Sequence, residues 1–179
     1  FNDATGTNAL FFWPRSLAFD AATNLYVADS FNNRIRKITP AGVVTTLAGS
    51  DLAGFADGRG ASARFDTPSG IAVDAATNVY VTDMRNHRIR KISPAGDVTT
   101  LAGAGLAGFA EGKGAAANFN FPLGLTLDSR ENLYVTDNGN RRIRRVTPEG
   151  EVTTLSGTGE FGLANGNLES ATFNGPSDV

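Results

Sequence analysis

A carboxylate followed five residues later by a guanidinium recurs three times along the chain, as Asp29 and Arg34, Asp83 and Arg88, and Asp137 and Arg142. Asn32, Asn86 and Asn140 stand between them. Such a set could bind a metal or a ligand. It could also form a clasp, the carboxylate pairing with the guanidinium across a short loop while the Asn amide satisfies the turn backbone. A group identical in every copy of a repeat serves something every copy needs, so the expected use is the structural clasp. Other chemistry has little to draw on. The chain holds one histidine, His87, and no cysteine, which removes thiol nucleophiles, disulfides and thiolate metal sites from it. No G-x-S-x-G elbow is present, and the segment Asp57-Gly58-Arg59-Gly60 lacks the carboxylate density of a calcium loop. The expectation is a chain with no catalytic, cofactor-binding or metal-ligating residue.

These residues are placed by a unit written three times. Pro14, Pro68, Pro122 and Pro176 lie 54 residues apart with no insertion between them. The repeats run 14–67, 68–121 and 122–175, with partial units at 1–13 and 176–179. Each unit offers four short β-rich runs separated by turn signals. In the first these are SLAFD, LYVAD, RIRKI and VVTTL, here called strands a to d. Asx-rich links join a to b and b to c, and P-A-G or P-E-G joins c to d, with Gly where positive φ is needed. A linker of about twenty residues follows; it keeps a fixed length, so it is expected to be ordered. Four antiparallel strands in tandem predict an all-β fold, a β-propeller segment of about three four-stranded blades with strand a innermost. The charged strand c is expected further out.

The combination N-L-Y-V-A-D, N-x-R-I-R-K-I and G-x-V-T-T-L-A-G resembles the NHL-repeat family of β-propellers, in a bacterial-type variant with a G-F-A-D-G linker. The third unit departs from that linker with FGLANGNLESATF. The resemblance implies a propeller of about six blades acting as a binding platform, and names no ligand. The family also includes RNA-binding domains and a few lyases. The multi-histidine zinc site of its amidating lyases cannot be assembled from this chain, so an enzyme reading needs metal ligands outside it.

Positions that differ between units are the candidate ligand rim. In the b-to-c loop these are Phe31 and Asn33, then Met84, Arg85 and His87, then Asn138 and Arg141. The expected function is a non-enzymatic binding or assembly module presenting this rim to a protein or carbohydrate, secreted or on a bacterial surface. Ten basic residues crowd strand c and could line up as a phosphate-binding band. The net charge of -2 and the lack of interleaved aromatics argue against nucleic acid. No apolar run approaches the ~18 residues needed to span a bilayer. Phe55, Phe65, Phe109, Phe119 and Phe173 are expected to fill small satellite cores, and Trp13 to be buried. The chain starts at Phe1, in phase with Phe55 and Phe109, and stops at Val179, four residues into a fourth unit. That predicts further units in a longer chain, or self-association of two copies that completes the ring.

Overall fold

Residues 1–179 are described by a computed structural model. Its strands are β1 (Pro14–Phe19), β2 (Leu25–Asp29), β3 (Arg34–Ile38), β4 (Val44–Gly49), β5 (Gly58–Arg59), β6 (Pro68–Val73), β7 (Val79–Asp83), β8 (Arg88–Ile92), β9 (Asp97–Ala102), β10 (Gly112–Lys113), β11 (Pro122–Leu127), β12 (Leu133–Asp137), β13 (Arg142–Val146) and β14 (Glu151–Ser156). They form three antiparallel sheets: β1-β2-β3-β4, β5-β9-β8-β7-β6 and β10-β14-β13-β12-β11. The inner strands β1, β6 and β11 lie side by side, so the sheets are consecutive blades about one axis, with a innermost and d outer. No helix is long and apolar enough to cross a membrane.

Local chemistry sets each turn. Between a and b, Asp20 accepts both the Asn24 backbone N–H (2.8 Å) and its side-chain amide (2.8 Å), and its second oxygen also accepts the Tyr26 hydroxyl (3.1 Å). Asp74, Asn78 and Tyr80, and Asp128, Asn132 and Tyr134, repeat the arrangement. Between c and d, Gly42, Gly96 and Gly150 sit at φ 77, 85 and 82, where a side chain would be strained. Between b and c, a single 3-10 turn ends in a left-handed residue, Asn33, His87 or Arg141.

Strand alternation gives each blade two apolar faces, and neighbouring blades bury them against each other. Tyr26, Ala28, Ile35 and Ala48 of the first blade meet Ile71, Val79, Val81, Ile92 and Val98 of the second. Tyr80, Ile89 and Ala102 of the second meet Leu125, Leu133, Val135, Val146 and Val152 of the third. The linker belongs to the blade after it: β5 pairs with β9, and β10 with β14, each adding a fifth strand outside d. From that position it inserts Phe65 and Phe119, both fully buried, into the two seams.

Strand c lies outside b as expected, with its middle arginines, Arg36, Arg90 and Arg144, fully buried. Two expectations about side chains need correction. Phe55 and Phe109 are half exposed, because they lie flat over the guanidinium groups of Arg88 (3.8 Å) and Arg142 (4.0 Å) instead of entering a core. Trp13 is exposed over 63% of its surface, since it projects from the axial end of the blade and its neighbour there is Phe31.

Candidate ligand face

The invariant carboxylates are buried, and their partner is two residues further along than the spacing implied. Asp29 bonds Arg36 (2.8 Å), Asp83 bonds Arg90 (2.7 Å) and Asp137 bonds Arg144 (2.9 Å). Arg34, Arg88 and Arg142 do not pair with them. Each donates back to a loop carbonyl, that of Asn32, Asn86 or Asn140, and packs under a Phe ring. The pairing follows from register: Asp29 lies opposite Arg34 at the strand ends, and strand period two puts Arg36, not Ile35, on the same face. The Asn part of the reading stands, as Asn32, Asn86 and Asn140 donate to the carboxylates at 2.8–2.9 Å.

Arg90 is the hub of its blade. Besides Asp83 it donates to the carbonyls of Arg64 and Ala56 and to the carboxylate of Asp57, so it ties the linker to strands b and c. Burial pushes the Asp83 carboxyl up to about 6, opposed by the attraction of Arg90 and the hydrogen bonds it accepts. Asp137 is raised for the same reason. This leaves the proposed basic band without its middle row, because three of its arginines are neutralised inside the blades. A further three lie under phenylalanines.

The other oxygen of each carboxylate leads to the axial face. Asp29, Asp83 and Asp137 accept the backbone N–H of Phe12, Asp66 and Asn120, in the last turn of the linker. The b-to-c loop donates to the same segment, from Phe31 N to the Phe12 carbonyl, Arg85 N to Asp66 and Gly139 N to Asn120. Loop and linker end are therefore held together on one rim around the axis. The last linker residue, Trp13, Thr67 or Phe121, sits at φ 54, 56 or 49, the left-handed region that side chains rarely adopt. The strain is met across the seam. The Oδ1 of Asn33 accepts the Thr67 N–H (3.0 Å), and the Nδ1 of His87 accepts the Phe121 N–H (3.1 Å). His87 is therefore neutral at Nδ1, and burial lowers its pKa below the usual 6.5.

The candidate rim residues thus divide. Asn33 and His87 cap the next blade's linker, and Asn138 donates to the Pro176 carbonyl. Arg141 reaches the Gly159 carbonyl. Met84 is half-buried, with its sulfur facing the Arg15 guanidinium. Phe31 and Arg85 remain exposed, and the Arg85 side chain makes no hydrogen bond. Beside them the structure adds Phe12, Trp13, Asp66 and Thr67, which reading the b-to-c loop alone missed. Their signal was present: positions 12, 66 and 120, and 13, 67 and 121, also change from unit to unit.

Phe12 and Phe31, joined by a backbone hydrogen bond, line an open cavity of about 280 Å³ at the first seam. Asp66 and Arg85, joined in the same way one blade on, line it too, together with Asn33, Ala53 and Thr67. Phe31 meets Phe12 edge-on at 5.3 Å and stacks on Trp13 at 5.8 Å. No group of three or more His, Cys, Asp or Glu side chains converges as metal donors.

Residues 65–92 and 119–146 match the family description "NHL repeat". A chloroplastic Arabidopsis thaliana protein, Suppressor of quenching 1, is 35% identical over 144 residues, covering 73% of this chain and 14% of that protein. NHL repeat-containing protein 2 of Bos taurus is 35% identical over 143 residues, covering 73% of this chain and 20% of that protein. The chain thus spans a fifth or less of these two relatives. Among solved structures, a Bacteroides thetaiotaomicron protein of unknown function superposes at TM-score 0.76 and 25% identity, over 92% of this chain and 41% of that one. The fold also matches an auxiliary nutrient binding protein from the same organism (TM-score 0.65, 25% identity, 77% and 36% covered). A Xanthomonas campestris gluconolactonase shares the fold alone (TM-score 0.60, 18% identity, 82% and 48% covered).

Proposed function

The chain belongs to the NHL-repeat β-propeller proteins, and from that premise we propose that it is a non-enzymatic binding module whose ligand face is the axial rim of b-to-c loops and linker ends. The observation that carries this is a division of labour between positions. Residues identical in all units, such as Asp83 and Asn86, are consumed in holding the blade, and so is Arg90 of strand c. Two rim residues that differ, Phe31 and Arg85, face solvent without a side-chain hydrogen bond. Exposed aromatic and charged groups on one face are what a recognition surface needs. The partner is a protein or a carbohydrate, in a secreted or cell-surface setting.

The same fold serves nutrient binding in one neighbour and lactone hydrolysis in another, so the site decides. A rim with exposed aromatic rings and the exposed guanidinium of Arg85 offers contacts and orientation. Nucleic acid is the weaker reading, because the repeated arginines face inward. The test is retention of a partner from source-cell extract on the immobilised chain and on a Phe31→Ala/Arg85→Ala variant. Retention by the wild type and loss by the variant supports the reading; equal retention by both overturns the rim assignment.

A further inference from the structure

Resting on that reading, we infer that the first seam holds a subsite for one ring of a neutral sugar, with Phe31 as its platform. The repeat itself supplies the control. At the second seam the positions equivalent to Asn33 and Thr67 are His87 and Phe121, whose rings pack edge-on at 4.8 Å. Phe12 and Phe31 are replaced there by Asp66 and Arg85. One architecture thus carries a slot plugged by its own aromatic ring at one seam. At the other, the small Asn33 and Thr67 leave it open, with aromatics relocated to the wall.

The chemistry of the open slot selects the occupant. A pyranose has an apolar C–H face and an edge of hydroxyls that each donate and accept. Phe31, with 43% of its surface exposed and backed by Trp13, offers the apolar platform. The same cavity is lined by an acceptor-only carboxylate, Asp66, and a donor-only guanidinium, Arg85. Their charges cancel, which disfavours a cationic or anionic ligand and suits a neutral one. A polypeptide would seek an open sheet edge or a long apolar groove, and this cavity is small and lined by both aromatic and charged groups. At about 280 Å³ it lies at the small end of ligand pockets, room for one ring of a longer glycan.

Trp13 is the chain's one tryptophan and stacks on Phe31, so its fluorescence reports on changes at this end of the slot. The folded chain is titrated with maltohexaose, cellohexaose and mannohexaose, and in parallel with glucosamine and glucuronate. The expected result is a saturable change with at least one neutral oligosaccharide at millimolar or lower concentration and none with the charged sugars. Phe31→Ala and Arg85→Ala should each weaken it by about tenfold or more with the melting curve unchanged. No saturable response to any neutral sugar, or a response that Phe31→Ala leaves intact, overturns the inference. If a source-cell protein is still retained by the wild type and lost from the rim variant, the sugar subsite has failed and the rim reading has not. Loss of neither overturns both.

Discussion

Replacing Asp83 with Ala should strand a buried charge, and the cost can be worked from its contacts. Arg90 is fully buried, and Asp83 is its partner at 2.7 Å and shares that burial; Asp57 remains on the other guanidinium nitrogen, but is itself 46% exposed. Removing one member of a buried pair costs about 3–5 kcal/mol, and Asp57 should hold the loss near the lower end. The Asp66 N–H and the Asn86 amide lose an acceptor in the same step. We expect a loss of about 3 kcal/mol in urea denaturation. The rise of the Asp83 carboxyl to about 6 shows that desolvation outweighs attraction in the folded state. Asp83→Ala/Arg90→Met should therefore recover about 1–2 kcal/mol of the loss by removing the stranded cation. The sign in pH follows as well: the folded carboxyl holds its proton more tightly than the unfolded one, so its contribution declines as pH rises from about 4 to 6. An Asp83→Ala chain within about 0.5 kcal/mol of wild type, or a double variant less stable than the single, would refute the reasoning.

Three further outcomes can be checked on the isolated chain. Phe119→Ala empties a fully buried site in the second seam and should cost about 3–5 kcal/mol in denaturant unfolding. Gly70→Ala should destabilise by about 1–3 kcal/mol, because its Cβ would collide with the Leu123 carbonyl and the Leu125 backbone nitrogen of the adjacent inner strand. His87 accepts a hydrogen bond only when neutral, and its folded pKa is lowered, so seam stability present at neutral pH should be lost as pH falls below about 6.5. His87→Asn, the residue that makes the same bond in the first blade, should flatten that dependence in thermal melts, and His87→Arg should reproduce the acid state at pH 7.

The blade could be read from the sequence because it is made of local signals. The runs LYVAD and RIRKI coincide with β2 and β3, and Gly42 takes the positive φ that the P-A-G turn requires. The invariant Asp was identified as structural, but its partner was misplaced. Spacing along a loop pointed to Arg34, whereas pairing through the sheet face selects Arg36, a distinction that needs register. Trp13 was expected inside because large apolar residues are usually buried. Its place in the chain did not reveal that a left-handed backbone turns it onto the rim. The slot itself was invisible from one loop, since it is built from the b-to-c loops of two blades and the linker ends beside them.

The central claim is that the two exposed variable rim residues without a side-chain hydrogen bond, Phe31 and Arg85, bind, while the invariant residues hold the blades. Phe31 and Arg85 occupy the repeat position that Gly139 fills in the third unit, so Phe31→Gly/Arg85→Gly imports a residue the fold already uses there. The deciding measurement is ligand captured from source-cell extract by this variant relative to wild type, in samples whose unfolding midpoints have been matched. The account predicts capture reduced to background with stability within about 1 kcal/mol of wild type. Undiminished capture by the folded variant would contradict it.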